Sequence, residues 1–436
     1  MSRPDQIRCW EVVALLLIFT LLLACQDEGR DREVEFRAAN QSVEVQVRGK
    51  LSATPDRFDQ ATLWLHRGEG WVGPYRPRTG SEGPRLIGAE LRLSFNRPAG
   101  SAGNQPVPQP GDEVQLLIPG EEMKELERVQ EKLSRSRLRY WVQQLEGVRH
   151  PEADPDHLQA VRERLADRFR ALGYQLEAQA FRQPEYEGVN LIARRPGSRH
   201  PEKAWILSAH YDTVAGSPGA DDNASAVAAL MCLAEALAPL QFETSIWFIA
   251  FDGEEAGRAG SRAFVQQPAL RNTQVLGVLN LEMIGYADAS PNSQLTPPGF
   301  ELLFPEALGW LSMRDWRGDF LTLIGNTASS QLVANIKKAL ARHLPELPLL
   351  DLEVPGNGSM APDLRRSDHS SFWDAGIPAV MFTDGAEFRN PNYHAASDLL
   401  ETLDFAFLEN NALAVLFALA ELAGPARAVS LAQGRL

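Results

Sequence analysis

The stretch AWILSAHYDTVAGSPGADDNASAVAALMCLAEALAPL, residues 204–240, decides the fold. Residues 204–210 make a near-continuous apolar run of strand length that closes on His210. Residues 224–240 are apolar on nearly every side and long enough for a covered helix. Gly216, Pro218 and Gly219 break the chain between them. A buried strand, a loop and a buried helix form the repeating unit of an α/β fold. Further apolar strands are read at VNLIARR (189–195), SIWFIAF (245–251), VLGVLNLEM (275–283) and PAVMFTD (378–384), and helices at 329–343 and 405–423. Together they predict a mostly parallel central sheet flanked by helices.

Five segments around these strands carry His, Asp and Glu but no Cys. They are AHYDTV (209–214), GADDNAS (219–225), FDGEEAG (251–257), LNLEMIGY (279–286) and NYHAASD (392–398). Imidazole and carboxylate suit zinc or another divalent ion. The set exceeds what one closed tetrahedral zinc needs. The surplus points to two metals sharing a bridge, with one carboxylate left over as a base.

Placement adds weight to composition. His210 ends one strand, Glu254 and Glu255 follow a second, and Glu282 sits near the end of a third. Asp222 precedes the helix that starts near Ala224, and His394 lies in the loop after 378–384. Sites in open α/β sheets form beyond the carboxyl ends of the strands, so these residues converge on one rim. Each motif alone has a plainer reading. His210 would be a core histidine, Asp221 and Asp222 helix caps, and Glu254-Glu255 a solvated turn. Against this, Asp212 stands where it accepts a hydrogen bond from the second ring nitrogen of His210. The adjacent aspartates repel unless a cation or exposure relieves them, and Asn223 and Ser225 are present to do the capping. Glu282 lies alone in an apolar run and needs a partner or a metal. Asp398, or a carbonyl, is placed to orient His394.

At this point the segments resemble the M28 family of zinc peptidases, over roughly 136–423. The resemblance implies a peptidase α/β sandwich with two zinc ions. His210 and Glu282 would hold one zinc, Glu255 and His394 the other, and Asp222 would bridge both. Glu254 would be the general base, Asp212 the orienter of His210, and Tyr393 a donor to the tetrahedral intermediate. SDHSSFWDAGIPAV (367–380) resembles a segment lining the family's site, which makes Asp368, His369 and Phe372 candidate substrate-binding residues. Many members carry Asp where Glu282 stands, which changes reach by one methylene.

The remainder of the 436 residues reads differently. Arg3 and Arg8 precede an apolar run from Val12 to Leu23, followed by Ala24-Cys25. This resembles a bacterial lipoprotein signal with Cys25 as the lipidated residue; an uncleaved anchor is the alternative. Residues 26–32 read as a tether. Residues 33–118 alternate apolar and polar residues between Gly/Pro-rich turns, which predicts a small β-sandwich-like accessory domain. EEMKELERVQEKLSRSRLRYWVQQLEGV, from 121, reads as helix, and the peptidase-like domain is placed at 121–436. Of three cysteines, only Cys232 lies beyond the signal, so no disulfide forms within the mature domains. A net charge of −14 argues against a nucleic-acid partner.

The expected function is a two-zinc exopeptidase in the cell envelope. In that reading it is an aminopeptidase on peptide substrates, using a metal-bridged hydroxide and Glu254 as base. A single-zinc glutaminyl cyclase and a non-catalytic binding ectodomain of the same fold are the alternatives.

Overall fold

The computed structural model describes the strands between residues 33 and 117 as backbone, and residues 133–424 apart from 185, 268–269 and 271–272. The signal-like segment, Cys25 and the tether lie outside the described residues. Chain contacts divide the protein into one unit of residues 1–126 with 427–436, and a second of 127–426.

In the first unit seven strands pair antiparallel: β1 (Glu33–Ala39), β2 (Ser42–Arg48), β3 (Thr62–Arg67), β4 (Gly70–Pro77), β5 (Arg85–Ile87), β6 (Glu90–Asn96) and β7 (Glu113–Leu117). Their order is β1-β2-β6-β4-β3-β7, with β5 on β6. β4 joins the two halves of that path, pairing with β3 between Gly70 and Tyr75 and with β6 at Arg76 and Pro77. Alternation along a strand marks its two faces but not its neighbours, so the sequence pattern left this pairing open.

The second unit is built on an eight-stranded sheet. Its strands are β8 (Gln175–Gln183), β9 (Tyr186–Arg195), β10 (His200–His210), β11 (Thr244–Phe251), β12 (Gln274–Glu282), β13 (Leu321–Asn326), β14 (Leu349–Val354) and β15 (Ala379–Thr383). The order is β14-β13-β15-β12-β10-β11-β9-β8. The centre, β15-β12-β10-β11, is parallel throughout. β9 and β8 add antiparallel at one side, and β13 meets β15 antiparallel at the other. The sheet is therefore mixed, with its parallel part where the ligand-bearing strands lie.

The helices are α1 (Arg135–Leu145), α2 (Pro155–Ala171), α3 (Ala226–Leu237), α4 (Ala259–Val265), α5 (Phe300–Leu303), α6 (Pro305–Met313), α7 (Ser330–His343), α8 (His369–Asp374) and α9 (Phe405–Ala423). The helix expected from 121 is described only from Arg135, where the Ser134 hydroxyl accepts from the Arg137 N–H and caps it. Along β11, side chains alternate between two covered faces. Trp247, Ile249 and Phe251 join a cluster with Phe264 of α4, Leu311 of α6 and Phe372 of α8. Phe248 turns the other way and meets Phe169 of α2, ring centroids 6.5 Å apart. α3 and α9 cover that second face. α9 is apolar and long enough to pass for a membrane span, yet most of its residues are buried within this unit.

Candidate metal centre

Four parallel strands end at one rim. His210 closes β10, and its strand partner Phe251 closes β11, so the turn after Phe251 puts Glu254 and Glu255 beside it. Ser208 pairs with Asn280, which brings His210 level with Glu282, two residues further along β12. β12 in turn matches Glu282 to Thr383 at the end of β15, and the loop beyond carries Tyr393 and His394.

Two groups of ligand atoms result. One holds His210, Asp222 and Glu282; the other holds Asp222, Glu255 and His394. In the first, His210 Nε2 lies 3.4 Å from Asp222 Oδ1 and 3.4 Å from Glu282 Oε1. In the second, His394 Nε2 lies 3.2 Å from Asp222 Oδ2 and 3.2 Å from Glu255 Oε2. Asp222 thus offers one oxygen to each group. A tetrahedron with metal–ligand bonds of about 2.0–2.1 Å has edges of about 3.3 Å, so these separations suit zinc in both places. Glu255 Oε1 is buried without a hydrogen-bond partner, as expected of a carboxylate that needs a cation. Glu254 belongs to neither group.

The surroundings show how the ligands are held. Asp212 accepts from the N–H of Glu254 and of Glu255, each at 3.1 Å. Its Oδ1 lies 3.4 Å from His210 Nδ1, which is also 3.2 Å from the Asp212 carbonyl oxygen. Asp212 therefore fixes the Glu254-Glu255 turn as well as the imidazole. Asp398 does not meet His394. Its carboxylate accepts from the N–H groups of Asp221 and Asp222 at 2.9 and 3.0 Å and so aims Asp222. Asn223 does not cap α3. Its Nδ2 donates to the Leu281 carbonyl and its Oδ1 accepts from the Met283 N–H, clasping the backbone on both sides of Glu282. Ser367 Oγ donates to Glu282 Oε2 at 2.6 Å, Asn280 Nδ2 donates to Ser367 Oγ, and Ser208 Oγ donates to Asn280 Oδ1. That chain occupies Oε2 and leaves Oε1 turned toward His210.

Gly219 sits at φ +62, and a Cβ there would come within 2.2 Å of the Asp222 carbonyl oxygen. Only glycine fits this turn. Arg149, fully buried, donates to the carbonyls of Tyr211, Leu145, Gly147, Pro218 and Gly219 at 2.7–2.9 Å. It ties both ends of the 211–219 loop, a role that no local motif announces.

The electrostatics match an anionic basket. Burial opposes the charge on Asp222, but hydrogen bonds to His210 and His394 outweigh it and hold its carboxyl well below the usual range. Burial and the neighbouring Asp222 push Glu255 up to about 7. Burial raises Glu254 well above the usual range, and Glu282, Glu255 and Asp368 add to it. For His394, burial is outweighed by Asp222 and Glu255, which raise it to about 10.

The three candidate substrate-binding residues are all buried. Phe372 is fully buried against Phe251 and Phe264. His369 is buried, with Nε2 3.0 Å from the Leu364 carbonyl oxygen. Asp368 is buried beside Ser261, and burial, with Glu282 and Asp212 adding to it, raises it to about 7. None of the three lines the cavity that opens beside Glu282 and Tyr393. That cavity measures about 760 Å³ out to its open mouth, and Leu311, Phe320, Ile324, Leu352 and Met381 make much of its wall. α8 turns His369 and Phe372 into the core, while Asp368 lies close enough to Glu254 and His210 to feel their charge. The Arg-Gly-Asp at 317–319 is also internal business: Gly318 pairs with Asp288 and Asp319 binds Arg314.

Residues 190–419 match Peptidase family M28, and the chain belongs to that family. It is 33% identical over 211 residues to the uncharacterized protein YfbL of Escherichia coli (strain K12), covering 46% of this chain and 61% of YfbL. It is 28% identical over 246 residues to a probable zinc metalloprotease of Pyrenophora teres f. teres, covering 50% of this chain and 48% of that protein. The chain thus spans about half to three-fifths of these relatives. An aminopeptidase from Aneurinibacillus sp. strain AM-1 shares the fold, with TM-score 0.51 and 17% identity over 71% of this chain and 98% of that one.

Proposed function

We propose that this chain is a two-zinc aminopeptidase that removes N-terminal residues from peptides outside the cytoplasm. The observation that carries this reading is the pair of three-ligand groups sharing Asp222. His210 and Glu282 would complete one zinc site, Glu255 and His394 the other. Zinc held there supplies Lewis acidity toward a carbonyl and makes water acidic near neutral pH.

The chain's own residues do the rest. Glu254 lies outside both ligand groups, so its carboxylate is free to take a proton and return it. It accepts the proton of the attacking water and delivers it to the departing amine nitrogen. Asp212 keeps the Glu254 backbone in place. The Tyr393 hydroxyl lines the cleft and donates to the carbonyl oxygen as negative charge develops there. The acidic rim attracts the substrate's free ammonium group. Cys25, if lipidated, would hold the enzyme on the membrane with the peptidase unit outside the cytoplasm.

The test is hydrolysis by the purified protein of paired substrates, aminoacyl amides and the same amides N-blocked, with zinc measured in the same sample. Cleavage of the free-amine member alone supports the reading. Cleavage of the N-blocked member, or cyclisation of N-terminal glutamine with one zinc, refutes it.

A further inference from the structure

We propose that Arg366, held by Glu387, is a positioning residue that turns the Tyr393 hydroxyl into a dedicated hydrogen-bond donor toward the substrate. The inference rests on the reading of Tyr393 given above and adds a residue to it.

Arg366 immediately precedes the Ser367 that binds Glu282, and its own side chain goes the other way. Its Nη2 donates to the Tyr393 hydroxyl oxygen at 2.9 Å. Its Nη1 forms an ion pair with Glu387. The guanidinium also lies 5.8 Å from the centre of the Tyr393 ring. On its other side that ring stacks on the imidazole of His394, centroids 3.8 Å apart and planes 18° from parallel. Tyr393 is thus held on its hydroxyl and on its ring. Arg366, Glu387 and Tyr393 all line the cavity that opens beside Glu282.

The direction of the bond matters. A phenol hydroxyl has one hydrogen to give and lone pairs to accept with, whereas a guanidinium only donates. The contact with Arg366 therefore engages an acceptor position of Tyr393 and leaves its hydrogen to point elsewhere. Among the described residues that hydrogen has no protein acceptor near enough to claim it. A positive charge on the oxygen side strengthens the hydroxyl as a donor. Glu387 steadies the half-exposed guanidinium, with Asp363 Oδ1 a further 3.8 Å from the same Nη1. In this arrangement Arg366 touches no reacting atom; it acts through Tyr393.

The experiment is a double-mutant cycle on the zinc-loaded protein with R366M, R366K, E387Q, Y393F and R366M/Y393F. Each variant is also measured for zinc content and melting temperature. The expected result is a fall in kcat of about tenfold for R366M, less than the roughly 10²–10³-fold that loss of an oxyanion donor itself costs, and little change in KM. R366M/Y393F should be no slower than Y393F alone, R366K should recover most of the loss, and E387Q should lie between R366M and wild type. Additive losses in the double variant would overturn the inference. So would a rise in KM at unchanged kcat, or loss of zinc in R366M. If wild type cleaves no substrate, the proposed activity fails, and the cycle is read instead on the dissociation constant of a dipeptide phosphinate. Coupling between Arg366 and Tyr393 in that binding upholds the inference independently, and independent effects, or no binding, overturn it.

Discussion

Asp398 holds the backbone N–H groups of Asp221 and Asp222 at 2.9 and 3.0 Å, so the carboxylate shared by the two ligand groups is aimed by a residue 176 positions away. The loop after β15 thereby supplies both His394 and the support for its partner ligand. Asp398→Ala leaves two buried N–H groups unpaired, at about 1–3 kcal/mol each. The expected outcome is a lower unfolding free energy together with loss of zinc. Asp398→Asn keeps one acceptor and should fall between. Chemical denaturation with metal analysis measures both, and an Asp398→Ala protein with full zinc content would contradict this role.

Glu254 and Glu255 are neighbours with different duties. Glu254→Gln should keep its zinc and lose about 10²–10⁴-fold in kcat, the range for a removed general base. Glu255→Gln should lose zinc from the group that contains His394. The reverse pattern would shift the assignment by one residue.

Buried His369 makes stability depend on pH. Burial pushes its pKa down to about 3, whereas in the unfolded chain it titrates near about 6.5. Between those values the unfolded state binds the extra proton. Stability from this group is therefore complete above about 6.5 and is lost as pH falls toward about 3, with a slope of about 1.4 kcal/mol per pH unit. H369Q retains a donor for the Leu364 carbonyl and should show a slope shallower by one proton. Denaturant unfolding of both proteins across this range gives the difference; equal slopes would show that His369 titrates normally.

The parts of this site legible in the sequence are those that sit at the ends of apolar strands. His210, Glu254, Glu255 and Glu282 stand out because each interrupts or closes a run that must be buried, and the four parallel central strands follow from the same runs. The edge strands were harder to see. β14 alternates covered and exposed positions but over only six residues, β8 has no fully buried position, and β13 is short and wholly buried. Arg149, Arg366 and the true roles of Asn223 and Asp398 depend on side chains finding backbone or phenol groups far away in sequence. No local spacing encodes such a meeting. His369 and Phe372 follow Ser367, which binds Glu282, but α8 turns both into the core.

The proposed location rests on Cys25. Cys25→Ser should abolish lipid attachment and move the protein from the membrane to the soluble fraction, since stable anchoring needs more than one acyl chain on that residue. Fractionation of cells producing each form decides it. Unchanged membrane association would assign the anchor to the apolar run at 12–23.

The most direct measurement is the zinc content of the wild-type protein and of Asp222→Ala, each titrated with zinc after chelation. Two zinc ions per chain are expected in wild type, with activity returning as both are restored. Asp222→Ala should lose both, because its two oxygens face the two ligand groups at 3.4 and 3.2 Å from His210 and His394. A wild-type protein fully active with one zinc, or an Asp222→Ala protein that retains two, would contradict the shared-bridge centre.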